Sequence, residues 1–338
     1  MSDLAAPLPS LADRARSVAA EGTIVGVHFL RQVPVFVLGE EALLFAAAEG
    51  KKLVAIHGGG ILTSAADGLR IVTGGDDGKL VATNRDGEHE VLATDDKKRW
   101  IDQVALRPDG AVAWAAGKVA RVLAKGGRTG KGEQRDLEVP STVAGLAFFP
   151  KGFRLAIAHY NGATLWFPNA AAKPDVLEWK GSHLGVTVSP DGKFLITTMQ
   201  EQTLHGWRIV DAKHMRMSGY SARVRSLSWT HDGKALATSG SEQLILWPFE
   251  GKDGPMGKQP RMLAPSPSRC SAVACHPRQP VAAAGFADGS VVLVRLDDGA
   301  LILAREADGD PVSALGWSAE GQVLAMGTEG GKGSVLTL

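Results

Sequence analysis

An all-β fold, built as a ring of four-stranded antiparallel blades, is predicted for this 338-residue chain by three observations. A unit of about forty residues recurs along it, each unit carries turn residues at fixed places, and the runs between the turns are too short for helices. The recurrence is clearest in VALRPDGAVAWAAG from Val104, VTVSPDGKFLITTM from Val186 and SLSWTHDGKALATSG from Ser226. Each reads as strand, turn, strand.

The first turn of a unit has a chemical basis. Pro108, Pro150 and Pro190 preset φ, Asp109 and Asp191 bond the local backbone, and a following glycine accepts a positive φ. That glycine is Gly68, Gly110, Gly152, Gly192, Gly233 or Gly321; Gln279 takes the place in HPRQP, and the first unit turns at 31–33. Runs such as GLAFF, RLAIA and SVVLV flank these turns and read as buried strands. A second set of turn signals, Asp76-Asp77-Gly78, Asn161-Gly162 and Asp288-Gly289, leads into the third strands KLVAT, ATLWF and SVVLV. A weaker fourth strand follows, as in HEVLAT, RDLEVP and DVLEWK. Four strands per repeat make one blade of a β-propeller.

Units open near Ile24, Ile61, Ile101, Val143, His183, Val224, Cys270 and Val312, which gives eight blades. Seven is the alternative, should the shorter first unit, TIVGVHFLRQVPVFVLGEEALLFAA, not form a full blade. The last unit stops after its third strand, SVLTL, and a missing outer strand would leave an exposed edge. The segment 15–20 is the expected donor, paired with 334–338 to close the ring. Residues 1–13 are read as a tail and 14–338 as a single propeller.

Hydrophobic residues make up 44% of the chain and mean hydropathy is −0.01, ample for a core. Lys plus Arg total 37 against 36 Asp plus Glu, so nucleic acid is disfavoured as a partner. No run reaches the roughly 18 to 20 apolar residues that span a bilayer, and the N-terminal segment lacks the apolar core of a secretory signal. The expectation is a cytoplasmic protein, monomeric by itself, without membrane contact. Cys270 and Cys275 lie five apart on one predicted strand, which directs them to opposite faces and argues against a disulfide.

The strand and turn pattern resembles the WD40-repeat family from about residue 22 onward, in a degenerate, stand-alone, bacterial-type form. LITTMQEQTLHGW, ending at Trp207, and LATSGSEQLILW, ending at Trp247, match best. The family's Trp-Asp dipeptide is absent: Trp166 precedes Phe167, Trp207 precedes Arg208 and Trp247 precedes Pro248. Family members often staple each blade with a His, Ser/Thr, Asp, Trp tetrad. Here it is incomplete: unit two offers His57, Thr73 and Asp77 with Ala82-Thr83 in place of tryptophan, and unit five offers His183, Thr197 and Trp207 with Glu201 in place of aspartate. The blades are therefore expected to rely on apolar packing more than on polar staples.

Residue sets with chemical potential are sparse. Cys275-His276 are adjacent on a strand and point apart, so they suit no shared metal. Met215 and Met217 in the run His214-Met215-Arg216-Met217 fit a packed outer strand better than a soft-metal site. The pairs Asp76-Asp77, Asp95-Asp96 and Asp297-Asp298 sit in turns. No G-x-S-x-G, Walker A, H-E-x-x-H or paired C-x-x-C motif occurs, and Gly58-Gly59-Gly60 and Gly74-Gly75 precede no helical pattern. No catalytic, metal or cofactor residue is assigned, and no cofactor is expected. Two Gly- and Lys-rich insertions, 124–135 and 250–261, read as solvated mobile loops between third and fourth strands, with a docking role for an acidic partner as the alternative.

What the resemblance implies is a non-catalytic scaffold that binds a protein or peptide partner. In propellers of this kind the loops between blades and those joining second to third strands share one face, where partners bind. Lys97, Arg99, Trp100, Tyr160, Tyr220, Arg223, Arg225 and Phe286 fall in those loops, and Trp, Tyr and Arg dominate interface hot spots. The alternative is a small-ligand, metal-binding or hydrolytic propeller that uses the central channel; converging carboxylates or histidines there would favour it.

Overall fold

The computed structural model describes residues 8–124 and 132–338, and apart from the 3-10 turn Ala12–Arg14 the regular elements are β-strands. Most of the insertion 124–135 lies outside the described residues. The strands form a propeller ring of seven hydrogen-bonded sheets, six with four antiparallel strands and one with six. Eight separate blades, as the unit count predicts, are thus not found. The first unit, on which the alternative of seven depended, forms a complete sheet from Ile24–Leu30, Val33–Leu38, Ala42–Ala47 and Gly50–Ala55.

Units four and five are what merge. The strand Asp175–Val188 runs unbroken through both, pairing by its first half with Leu155–Trp166 and by its second half with Phe194–Met199. Other units are separated by loops such as 95–102 and 218–226, which leave the sheet. Here a single glycine, Gly181, makes the turn at φ 121°, a conformation that L side chains rarely adopt. A Cβ there would also approach Met199 Cε to 2.9 Å. Asn161-Gly162 is as compact: it leaves Leu155–Trp166 a continuous strand, and His159 reaches Thr164 across the fold.

The last sheet takes its outer strand from the N-terminal side. Arg16–Ala19 pairs antiparallel with Lys332–Thr337, Arg16 opposite Val335 and Ala19 opposite Lys332, a register slightly inward of the 334–338 expected. Val18 and Val335 from this sheet share an apolar cluster with Ile24, Phe36 and Leu44 of unit one. A row of serines on the innermost strands adds polar links in the same direction around the ring. Ser228 Oγ accepts from Cys275 N (2.8 Å), Ser271 Oγ donates to Val312 O (2.6 Å) and Ser313 Oγ donates to Ile24 O (2.6 Å). Small hydroxyls suit these places because they satisfy a neighbour's backbone without widening the tightly packed inner rim.

Burial follows from face-to-face packing. Middle strands such as Val33–Leu38 and Phe194–Met199 are covered on both faces and mostly apolar, whereas the outer strand Lys213–Met217 alternates exposed and buried. Met215 and Met217 take the buried places and join the core between units five and six. Between the two halves of the six-stranded sheet, Leu165, Leu195 and Trp207 likewise pack together. The cysteine expectation needs correction: a bulge between Cys270 and Ala272 shifts the alternation. Both thiols then pack in one cluster between units six and seven, free and undisulfided.

Polar staples are also better formed than expected. In unit two, His57 Nε2 lies 2.8 Å from Thr73 Oγ1 and Nδ1 3.0 Å from Asp77 Oδ1. In unit five, His183 Nδ1 lies 2.7 Å from Thr197 Oγ1. The insertion 250–261 is anchored, not free: Asp253 pairs with Arg208, and Met256 packs on the core below.

Candidate functional site

Backbone hydrogen bonds place the inter-unit loops and the loops between second and third strands on one face. Asp76 N donates to Gly60 O (3.0 Å), Gln200 N to Ser182 O (3.1 Å) and Ala287 N to Arg269 O (2.9 Å). The residues singled out from the sequence divide there into three groups.

Lys97, Arg99 and Trp100 share the loop before unit three. Asp95, buried at its base, accepts from the backbone N–H of Lys97 and of Arg99 and from the Arg99 guanidinium, Nη2 at 2.7 Å. The Arg99 hydrogen bonds hold the Asp95 carboxyl down to about 2, against the opposing effect of its burial. Arg99 thus braces the loop and is not a free cation. Ile101 is fully buried, so the preceding Trp100 is directed outward and is 62% exposed. Lys97 beside it is exposed. Tyr160 in unit four is 54% exposed, and its backbone N–H donates to Ser141 Oγ at 2.8 Å.

Tyr220 and Phe286 are not surface groups, which corrects their assignment to the face. Phe286 is buried in the core between units six and seven. The Tyr220 hydroxyl lies 2.9 Å from Thr238 Oγ1 and accepts from Trp247 Nε1 at 2.7 Å. It stands where a staple histidine would, and burial pushes its pKa up to about 12.

Arg223 and Arg225 are brought together. With Arg269, Ser271 and Glu329 they line a hollow of about 180 Å³ at the loops of units six to eight. Arg223 Nη1 donates to Gln200 Oε1 at 3.1 Å. The supporting turn requires Gly240, at φ 98°, where a Cβ would come within 3.0 Å of Ala222 O and 3.3 Å of Arg223 O. Arg269 was missed, yet the repeat contains its signal. Trp100, Arg223 and Arg269 each directly precede the buried residue that opens a unit, Ile101, Val224 and Cys270. Aligned on those openings, the three share one place on the rim.

On the first strands of the units, His28 lies 2.8 Å from Ser64 Oγ and His183 2.7 Å from Thr197 Oγ1, so both histidines are engaged within the fold. The first strands of the units contain no Asp or Glu. Asp102 precedes one of them, its buried Oδ1 lacks a partner among the described residues, and desolvation raises its pKa. Among the described residues no three His, Cys, Asp or Glu converge to hold a metal. No helix among them is long and apolar enough to cross a membrane. A hollow of about 360 Å³ lies on the opposite face between units six and seven, where Lys234 pairs with Asp232 and Glu250 and Arg261 donates to the Leu296 carbonyl.

A closed ring of face-packed antiparallel sheets of this kind defines a β-propeller. The family model "WD domain, G-beta repeat" matches residues 213–247, and this match together with the propeller ring supports a WD40-repeat β-propeller family. The matched segment starts on the outer strand Lys213–Met217 of unit five and ends at Trp247 on the third strand of unit six. Sequence repeat and sheet are therefore offset by one strand, the offset that gives the last sheet an N-terminal outer strand. Among solved structures the chain is similar to a computationally designed protein, Ika8, at a TM-score of 0.76 and 16% identity, covering 95% of this chain and 98% of that one. That likeness concerns fold alone. No curated protein matches the chain. WD40 propellers are typically protein-interaction scaffolds.

Proposed function

We propose that this propeller is a non-catalytic platform that binds a protein or peptide partner on the face carrying the inter-unit loops. The observation that carries the reading is Trp100, held outward at 62% exposure by a loop that Asp95 and Arg99 lock in place. A large aromatic surface on a rigid support loses little entropy on binding, which is what an interface anchor needs. Lys97, Tyr160, Arg223 and Arg225 on the same face complete the proposed contact set, with Arg99 as a positioning residue. The lack of carboxylates on the inner strands supports this reading over a hydrolytic channel. Residues 14–338 are taken to act as one unit, in a cytoplasmic setting.

Affinity purification from the native cell, comparing wild type with a Trp100→Ala, Arg223→Ala double variant, tests the platform. Loss of a specific partner from a variant with an unchanged thermal melt is expected. Undiminished recovery would sink the proposal.

A further inference from the structure

We infer that the hollow between Arg223, Arg225 and Arg269 is a receptor for a carboxylate side chain of an acidic peptide segment; the inference rests on the platform reading and specifies its partner's chemistry. Arg223, Arg225, Arg269 and Glu329 are among the residues lining a space of about 180 Å³, three cationic residues to one acidic. Elsewhere in the ring arginines are mostly neutralised within the fold, Arg208 by Asp211 and Asp253, Arg295 by Asp298 and Arg305 by Asp308. Arg223, Arg225 and Arg269 form no ion pair among the described residues. The nearby Glu242 carboxylate accepts from Ser221 Oγ at 2.7 Å, which with a smaller effect of the Arg269 charge lowers its pKa.

Two features make this a built site. The Arg225 backbone N–H is tied to Ser239 Oγ at 3.3 Å and that of Ser226 to the same oxygen at 3.0 Å. Ser271 Oγ is spent on the Val312 carbonyl, which fixes the floor and joins unit seven to unit eight. The arginines thus project from pinned backbone on two adjacent loops. Guanidinium groups match the two oxygens of a carboxylate through paired N–H donors.

Fluorescence anisotropy at low ionic strength decides the matter, with labelled peptides of alternating Gly and Glu, Gly and Gln, or Gly and Lys. The Glu peptide is expected to bind, the other two not, and added salt is expected to weaken binding. R225Q/R269Q should lose roughly tenfold or more in affinity, and R225K/R269K less, because lysine keeps charge without the paired donors. Thermal melts of both variants should match wild type, since all three side chains lie at the surface. Equal binding of Glu and Gln peptides, no binding of any peptide, or full affinity in R225Q/R269Q each overturns the pocket assignment. A Trp100→Ala, Tyr160→Ala variant separates the two readings: if it loses the native partner while R225Q/R269Q keeps it, the platform stands and the carboxylate pocket falls.

Discussion

His57 of unit two and His205 of unit five are both buried, and the two rings meet opposite surroundings. His57 has a partner on each nitrogen, Thr73 and Asp77, and Gly75 leaves room for it: a Cβ there would stand 2.5 Å from Nδ1. His205, fully buried, has no partner on either nitrogen among the described residues. Its ring stacks on Trp179 at 4.1 Å between centroids and meets Trp207 edge-on at 4.6 Å. One histidine acts as a polar staple; the other acts as an aromatic plate that carries two unsatisfied nitrogens. The same side chain therefore stabilises through hydrogen bonds at position 57 and only through contact area at position 205, against a desolvation cost.

The largest expected effect comes from cutting the satisfied network. His57→Leu leaves Thr73 Oγ1 only a long 3.4 Å hydrogen bond to the Val81 carbonyl and removes one partner of Asp77, and should cost roughly 3 kcal/mol, read as a lower urea midpoint at pH 7.5 with an unchanged m-value. A loss well under about 1 kcal/mol would mean that apolar packing carries unit two, as the sequence alone suggested.

Next in size is a pH effect that belongs to unit five. Burial, with smaller contributions from His183, His214 and Arg216, holds the His205 pKa down to about 3 from 6.5. Between those values the unfolded chain binds a proton that the folded chain refuses. Stability is therefore full above pH 6.5 and falls on acidification toward pH 3, by about 2 kcal/mol between pH 6.5 and 5 from this group. His205→Phe keeps the stack and removes the titrating nitrogens, so its stability should vary less with pH over that window. Identical acid slopes in the two proteins would show that His205 is protonated in the folded state or that other groups set the acid limb.

Much of this was readable from residues whose effect is local. Pro190, Asp191 and Gly192 define a turn by their own backbone preferences, and the pairing of Arg16–Ala19 with Lys332–Thr337 follows from a strand edge that needs covering. The unread parts depend on contacts distant in sequence. Gly181 gave no sign that it would carry one strand across two units, because a lone glycine in a strand also reads as a bulge or close approach. The partners of Tyr220, Thr238 and Trp247, lie 18 and 27 residues away, so a tyrosine in a predicted loop looked like an exposed anchor. Arg223 and Arg225 were legible as loop cations; their convergence with Arg269 was not, since it arises where loops from successive units meet.

The smallest expected effect tests that reassignment of Tyr220. Its hydroxyl joins Thr238 and the Trp247 indole in unit six, the counterpart of the His57 staple, but Thr238 Oγ1 keeps a second partner in the Ile245 carbonyl at 3.1 Å. Tyr220→Phe leaves the ring in place and chiefly strands the indole N–H, so it should cost about 1 kcal/mol, less than His57→Leu because no carboxylate loses a partner. Binding of the native partner should be unaffected, as the side chain is buried. Weakened binding without lost stability would return Tyr220 to the interface and place the partner deeper between units five and six than the rim residues imply.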